Sequence, residues 1–364
     1  MTLTGDSLVE NTDYTFDEST HLLTIKTAGK YTLSGTAKGQ NFRVKVVGES
    51  GQRIQTKLTI DNLTIKTYNG DDMGGYSPLD FSDAGATTLI LVGENELTAR
   101  GKNPAVYAPN VNSGNNNEDA IPLTICGKGS LVATGGRGWP GIGNTGSAKI
   151  LIEGGDITAV GGYTAAGIGG IGGIGGIDGS DGSWFDSIVI TGGHVTAKGE
   201  YTDDIGCGYD PSETSSHGFG REHTISIEGG VVEANSIFED TNKNTLKKTG
   251  GILVQNGAYK VLGDTTLTTN LTIPKGKTLT VPKGKTITIE KNGKLEIKDG
   301  ATLEIEDGAT LEIKDGAQLY EDGTVKGNII GSGKNYKIEY ELDGGEWADG
   351  YTPGDYYQSG TKFD

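Results

Sequence analysis

Carboxylates gather in three places along this chain. Asp71 and Asp72 precede Asp80 and Asp83; Asp178, Asp181 and Asp186 form a second group; Asp203, Asp204 and Asp210 form a third. Ca2+ takes about six to eight oxygen ligands, so clustered aspartates with the carbonyls of Gly-rich loops have the chemistry to hold it. Asp71, Asp72, Asp80, Asp83, Asp203, Asp204 and Asp210 are therefore candidate metal ligands, and Ca2+ is the one cofactor they imply. No EF-hand spacing or Gly-Gly-x-Gly-x-Asp series accompanies them. Aspartate serves equally well as a turn former in such loops.

A second set of side chains suits sugars. Tyr107, Trp139, Tyr163, Trp184, Phe185, Tyr201, Tyr209 and Phe219 lie in the connecting stretches. An aromatic plate packs against the C–H face of a pyranose while neighbouring polar groups bond its hydroxyls. Trp139, Tyr163, Trp184, Tyr201 and Tyr209, with Arg137 beside Trp139, are the candidate carbohydrate-binding residues. Trp139, Tyr163 and Tyr201 fall at equivalent points of successive repeats, which predicts a ladder along one side. The other reading is that these rings shield the corner where loops leave the core.

Catalysis has thinner support. A polysaccharide lyase needs a basic residue near a carboxylate cluster, and a hydrolase needs paired carboxylates flanking the bond. The only arginines are Arg43, Arg53, Arg100, Arg137 and Arg221, so Arg137 beside Trp139 and Arg221 near His217 and His223 are the places to look. No nucleophile stands beside a base. His194, His217 and His223 lack metal-ligand spacing and read as solvated loop residues.

The elements that must position these groups come from repeats. Ile150–Ala159, Ile188–Ala197 and Ile225–Ala234 share one frame with Leu123–Ala133, and a weaker copy runs from Leu89 to Ala99. Each opens with apolar residues two apart, the period of a strand with one buried face, then a Gly pair or Gly-x-Gly bend, then a second short strand. The anchors Ile125, Ile152, Ile190 and Ile227 are 27, 38 and 37 residues apart, as expected of a coil of about 24 residues with loops inserted at one corner. From Leu271 to Leu319 an apolar residue recurs every eight positions with a second series two residues later, so three such segments close a coil of the same size. The charge flanking them changes from Lys275, Lys277, Lys283 and Lys285 to Glu296, Glu304 and Glu312, which suggests opposite charges pairing between coils, for instance around Lys277 and Ala301. The predicted fold is all-β: a right-handed, single-stranded parallel β-helix, a three-sided solenoid. Its expected parts are an N-terminal cap over 1–30, a Gly-rich region with insertions over 31–250, regular coils over 251–333, and a linker with the start of a further module over 334–364. The role of the Ile-Gly-Gly run at 169–177 stays open between low complexity and a tight insertion.

Composition narrows the partners. The 364 residues carry a net charge of −17, which disfavours nucleic acid and anionic membrane surfaces. No apolar run is long enough to insert into a membrane. Cys126 and Cys207 occupy different places in their repeats and are expected as free thiols.

The phrases Gly29-Lys30-Tyr31-Thr32-Leu33-Ser34-Gly35-Thr36 and Leu58-Thr59-Ile60-Asp61-Asn62-Leu63-Thr64-Ile65, with the repeats up to Ala234, resemble a bacterial extracellular, carbohydrate-binding, Ca2+-associated β-helix family found in large surface proteins of gut-associated bacteria. Tyr336–Trp347 and Gly350–Pro353 resemble the opening of the Listeria–Bacteroides (internalin B-type) repeat. The resemblance implies a monomeric piece of a longer, secreted, modular protein whose signal peptide has been removed, displayed at the bacterial surface. The expected function is a non-catalytic adhesion module binding polysaccharide or host glycan. A lyase or glycoside hydrolase on the same scaffold, and a plain stalk, are the alternatives.

Overall fold

The computed structural model describes residues 1–37, 41–67, 75–109, 121–145, 148–171, 185–208, 223–239, 245–331, 335–337 and 356–358. Among them the secondary structure is β throughout, apart from one 3-10 turn at Glu49–Gly51. The chain divides into two units: Met1–Glu228 with Val232–Thr249, and Gly229–Val231 with Gly250–Asp364.

Ten strands of the fourteen-stranded main sheet pair in a closed path. They are β1 (Thr56–Lys66), β2 (Thr87–Val92), β3 (Glu94–Thr98), β4 (Pro122–Gly127), β5 (Ser130–Thr134), β6 (Ala148–Ile152), β7 (Asp156–Tyr163), β8 (Phe185–Ile190), β9 (His194–Glu200) and β10 (Thr224–Glu233). Pairing runs β1-β2-β4-β6-β8-β10 on one side and back through β9-β7-β5-β3 to β1. The expected single-stranded right-handed β-helix, with bends separating its faces, is corrected by this path: the sheet closes on itself as a ten-strand parallel barrel, accompanied by other sheets.

The reason for closure lies in two long strands. β1 pairs with β2 over Thr56–Asp61 and with β3 over Thr64–Lys66. Asn62, at φ 50, turns the chain inside β1 without ending it. Side-chain amides carry the sheet around this turn: Asn62 Oδ1 accepts the Glu94 N–H, Asn95 Oδ1 accepts the Leu63 N–H, and Asn95 Nδ2 donates to the Val92 and Ser130 carbonyls. At the opposite end β10 runs unbroken through Gly229 and Gly230, the pair expected to end a strand. A sequence reading takes Asn and Gly pairs as punctuation; here they bend strands that stay hydrogen-bonded.

Period-2 alternation places the core. Leu58, Ile60, Leu89, Leu91, Leu123, Ile125, Ile150, Ile152, Ile188 and Ile190 are fully buried, register against register. Each such side chain contributes about 1.5–3 kcal/mol of burial. An eight-stranded sheet stands beside the barrel, running from Tyr14–Asp17 and Leu22–Ile25 through Arg43–Val46, Leu79–Asp80, Val106–Tyr107, Ile142–Asn144 and Ile168–Gly170 to Ile205–Gly206. Thr2–Gly5 lies antiparallel on Gly29–Thr36, which pairs with β1.

In the second unit, three small parallel sheets hold strands of three or four residues. Leu271 sits opposite Leu295, and Leu295 opposite Leu319, a register of 24 residues; Leu279 opposite Leu303 and Ile287 opposite Leu311 repeat it. These columns form one apolar core. Charge pairing across the same step is seen at Lys275 Nζ and Asp299 Oδ2, 3.2 Å apart, rather than at Lys277. Lys277 instead accepts through its carbonyl from the Thr302 N–H.

Candidate functional site

The segments that leave β3, β5, β7 and β9 stack on one another. Ala99 N–H donates to the Thr134 carbonyl, Gly135 to Val160, Gly136 to Asn103, Gly162 to Trp139, and Thr164 to Glu200. Glycines make the close approach possible. A Cβ on Gly75 would lie 1.9 Å from the Arg100 carbonyl oxygen, one on Gly136 2.0 Å from that of Gly101, and one on Gly162 2.0 Å from that of Gly136. The result is a glycine spine with one large side chain following each rung: Tyr76, Lys102, Arg137 and Tyr163. Glu200 pairs in register with Tyr163, and Tyr201 comes next.

Aromatic surface concentrates on this spine. Four aromatic side chains are more than a third exposed among the described residues, and three of them, Tyr76 at 40%, Tyr163 at 46% and Tyr201 at 72%, belong to it; Phe16 is the fourth. Tyr163 and Tyr201 meet edge-to-face with ring centroids 5.4 Å apart. The Arg137 guanidinium stands 5.9 Å from the Tyr163 centroid, and Arg43 covers the Tyr76 ring at 3.6 Å. Contacts of this kind hold a ring in one orientation while its remaining surface faces water. Tyr201 adopts φ 62, a left-handed conformation that costs a bulky residue energy and turns its ring outward.

Trp139 behaves differently from the expected ladder. It is half-buried, and its ring stands edge-on to Tyr107 at 5.9 Å. Tyr107 bonds to the Thr145 hydroxyl, and burial first, then the charges of Asp80 and Asp83, raises its phenol above the ordinary range. Trp184 and Tyr209 lie outside the described residues. Sequence reasoning missed Tyr76 and Arg43. The signal for Tyr76 was the Gly75-Tyr76 pair, which matches Gly101-Lys102, Gly136-Arg137 and Gly162-Tyr163.

The acidic candidates within the described residues are occupied by the chain itself. Lys45 Nζ lies 2.7 Å from Asp83 and 4.0 Å from Asp80, and Asp80 also accepts the Ser82 N–H. Burial alone would lower the Lys45 ammonium, but the Asp83 hydrogen bond and both aspartate charges outweigh it and raise it. Asp204 is buried and accepts the N–H groups of Gly199, Asn235 and Ser236, while Asp203 takes the Ser236 hydroxyl. These carboxylates brace the turn after β9 against the segment after β10. Among the described residues no three His, Cys, Asp or Glu side chains converge as a metal site. Asp71, Asp72 and Asp210 lie outside the described residues, as do Asp178, Asp181, His217, Phe219, Arg221 and 172–177.

Two histidines expected in solvent are not there. His194 opens β9 and its Nε2 lies 2.9 Å from Glu233 Oε1 on β10. That hydrogen bond, opposed by burial, holds the Glu233 carboxyl below the usual range. His223 is buried, its Nδ1 bonded to the Phe185 carbonyl and its ring tilted against Phe185. Cys126 and Cys207 are both free thiols, and burial, then the Asp203 charge, pushes Cys207 up to about 12. No helix among the described residues is long and apolar enough to cross a membrane. Set against known proteins, the chain matches no family model, no curated protein and no solved structure.

Proposed function

We propose that this chain is a non-catalytic extracellular surface module that binds polysaccharide or host glycan at the glycine-spine corner of its first unit. The observation that carries the reading is that three exposed tyrosines lie along one corner, two of them beside arginines. Flat apolar faces beside fixed hydrogen-bond donors are the chemistry a pyranose needs. The likeness of the repeat phrases to bacterial surface proteins supports a location outside the cell, as does the likeness of the C-terminal residues to a surface repeat. A glycan array probed with the wild-type chain and with Tyr163→Ala/Tyr201→Ala, each with and without EDTA, tests the proposal. Binding by the wild type that the double variant loses supports it. No glycan bound, or equal binding by both proteins, rejects it; release of unsaturated or reducing sugar favours an enzyme instead. Sensitivity to EDTA in the wild type alone would bring Ca2+ into the account.

A further inference from the structure

The corner is longer than the pair of tyrosines that ends it. Its rungs follow one another because the bare Cα atoms of Gly75, Gly136 and Gly162 admit a carbonyl of the neighbouring rung, and Tyr163 then pairs in register with Glu200. From Tyr76 through Lys102, Arg137 and Tyr163 to Glu200 there are four steps, about 19 Å at the usual strand spacing. The side chains on the way are Lys102 and Arg137, which donate hydrogen bonds and accept none. An exposed tyrosine stands at each end, Tyr76 at one and Tyr201 at the other. Arg43 is tied down independently of any ligand, since its guanidinium also donates to the Thr20 carbonyl at 2.8 Å. Tyr76 is therefore held from one face as firmly as Tyr163 is held beside Arg137, although the two lie in different repeats.

We propose that the spine from Gly75 to Tyr201 is one continuous row of subsites for a straight, β-1,4-linked oligosaccharide lying along it, with Tyr76 under Arg43 as the far platform. This rests on the glycan-binding reading and adds to it a ligand length, a direction and two residues. Rungs that follow one another at the strand spacing fit an extended chain and not a coiled one. The donors in the middle bond hydroxyls of internal sugars, and the terminal tyrosines stack on sugars at either end. Affinity accordingly depends on spanning the row, as it does whenever linked contacts engage together.

The test is calorimetric titration with β-1,4-linked manno- and gluco-oligosaccharides from disaccharide to hexasaccharide, using wild type, Tyr76→Ala and Tyr201→Ala. Both tyrosines are exposed, so neither substitution opens the core; a melting curve confirms each fold. The expected result is a dissociation constant that falls at least tenfold between disaccharide and hexasaccharide. Each single variant loses at least fivefold on the hexasaccharide, and each flattens the length dependence. Binding that is independent of length, or untouched by Tyr76→Ala while Tyr201→Ala abolishes it, overturns the row but leaves the glycan reading standing. No binding at any length, by a wild type that also binds nothing on the array, overturns both.

Discussion

The two units use one strand period to different ends. In the second, the middle strands pair at a register of 24 residues with short turns between them, shortening to 22 at Leu303 and Val325 and to 18 at Leu311 and Ile329, and the surface between the apolar columns carries Lys, Glu and Asp. In the first, two long strands close the barrel, connections vary in length, and glycines at one corner bring backbone against backbone. Among its described residues the regular second unit gives pairs such as Lys298 with Glu296 and Lys294 with Tyr320 rather than a corner of exposed aromatic rings. Irregularity in the first creates one, because a bare Cα at each rung lets the next residue project from a crowded spine. The proposed binding surface lies where the repeat is broken.

Glycines give the sharpest way to break that contrast. Gly162→Ala puts a Cβ 2.0 Å from the Gly136 carbonyl at a backbone conformation any residue accepts, so its whole cost is crowding; we expect about 3 kcal/mol lost in denaturant unfolding. Gly276→Ala in the second unit meets nothing within 4 Å but sits at φ 76, and the loss should be only about 1–2 kcal/mol. Equal losses would mean that the spine is no more tightly packed than an ordinary turn. Next in size, Tyr201→Gly relieves the left-handed strain at φ 62 and should stabilise the chain by about 1 kcal/mol or less. The same change should weaken glycan binding, so a variant both more stable and equally good at binding would remove Tyr201 from the site.

Acid separates the units in another way. The folded Glu233 carboxyl lies below its ordinary value, chiefly through the His194 hydrogen bond. Its stabilising effect is complete above the unfolded glutamate value of about 4.3 and is lost as pH falls through the lower folded value. Unfolding of Glu233→Gln should therefore depend less on pH in that window than unfolding of the wild type, and identical slopes would show that the pair contributes nothing. Smallest is the Lys275–Asp299 pair, whose side chains are 78% and 84% exposed. A double-mutant cycle should return less than about 0.5 kcal/mol.

Much of the strand pattern was legible. Alternating Ile and Leu at Ile150, Ile152, Ile188 and Ile190 announced the buried faces, and the eight-residue period announced the register around Leu295. The closure of the main sheet was not legible, because Asn62 and the Gly229-Gly230 pair look like strand ends in sequence. Only the amide bonds of Asn62 and Asn95 reveal that the ladder continues around the corner. In the candidate site, Tyr163 and Tyr201 were readable from their equivalent places in the repeats, and Arg137 as the neighbour of Trp139. Tyr76 carried a signal in the Gly75-Tyr76 pair that went unread, and Arg43 carried none, since its contact with Tyr76 exists only across the fold. Asp204 misled in the opposite direction: a carboxylate in a Gly-rich loop reads as a metal ligand, yet three backbone N–H groups take it.

We propose that glycan binding resides in the first unit. The most direct measurement compares two variants on the same glycan array, Tyr76→Ala/Tyr163→Ala/Tyr201→Ala in the first unit and Lys275→Ala/Lys277→Ala/Lys283→Ala/Lys285→Ala in the second. The account predicts that the tyrosine variant loses binding and the lysine variant keeps it. Loss of binding by the lysine variant, with the tyrosine variant unchanged, would contradict it.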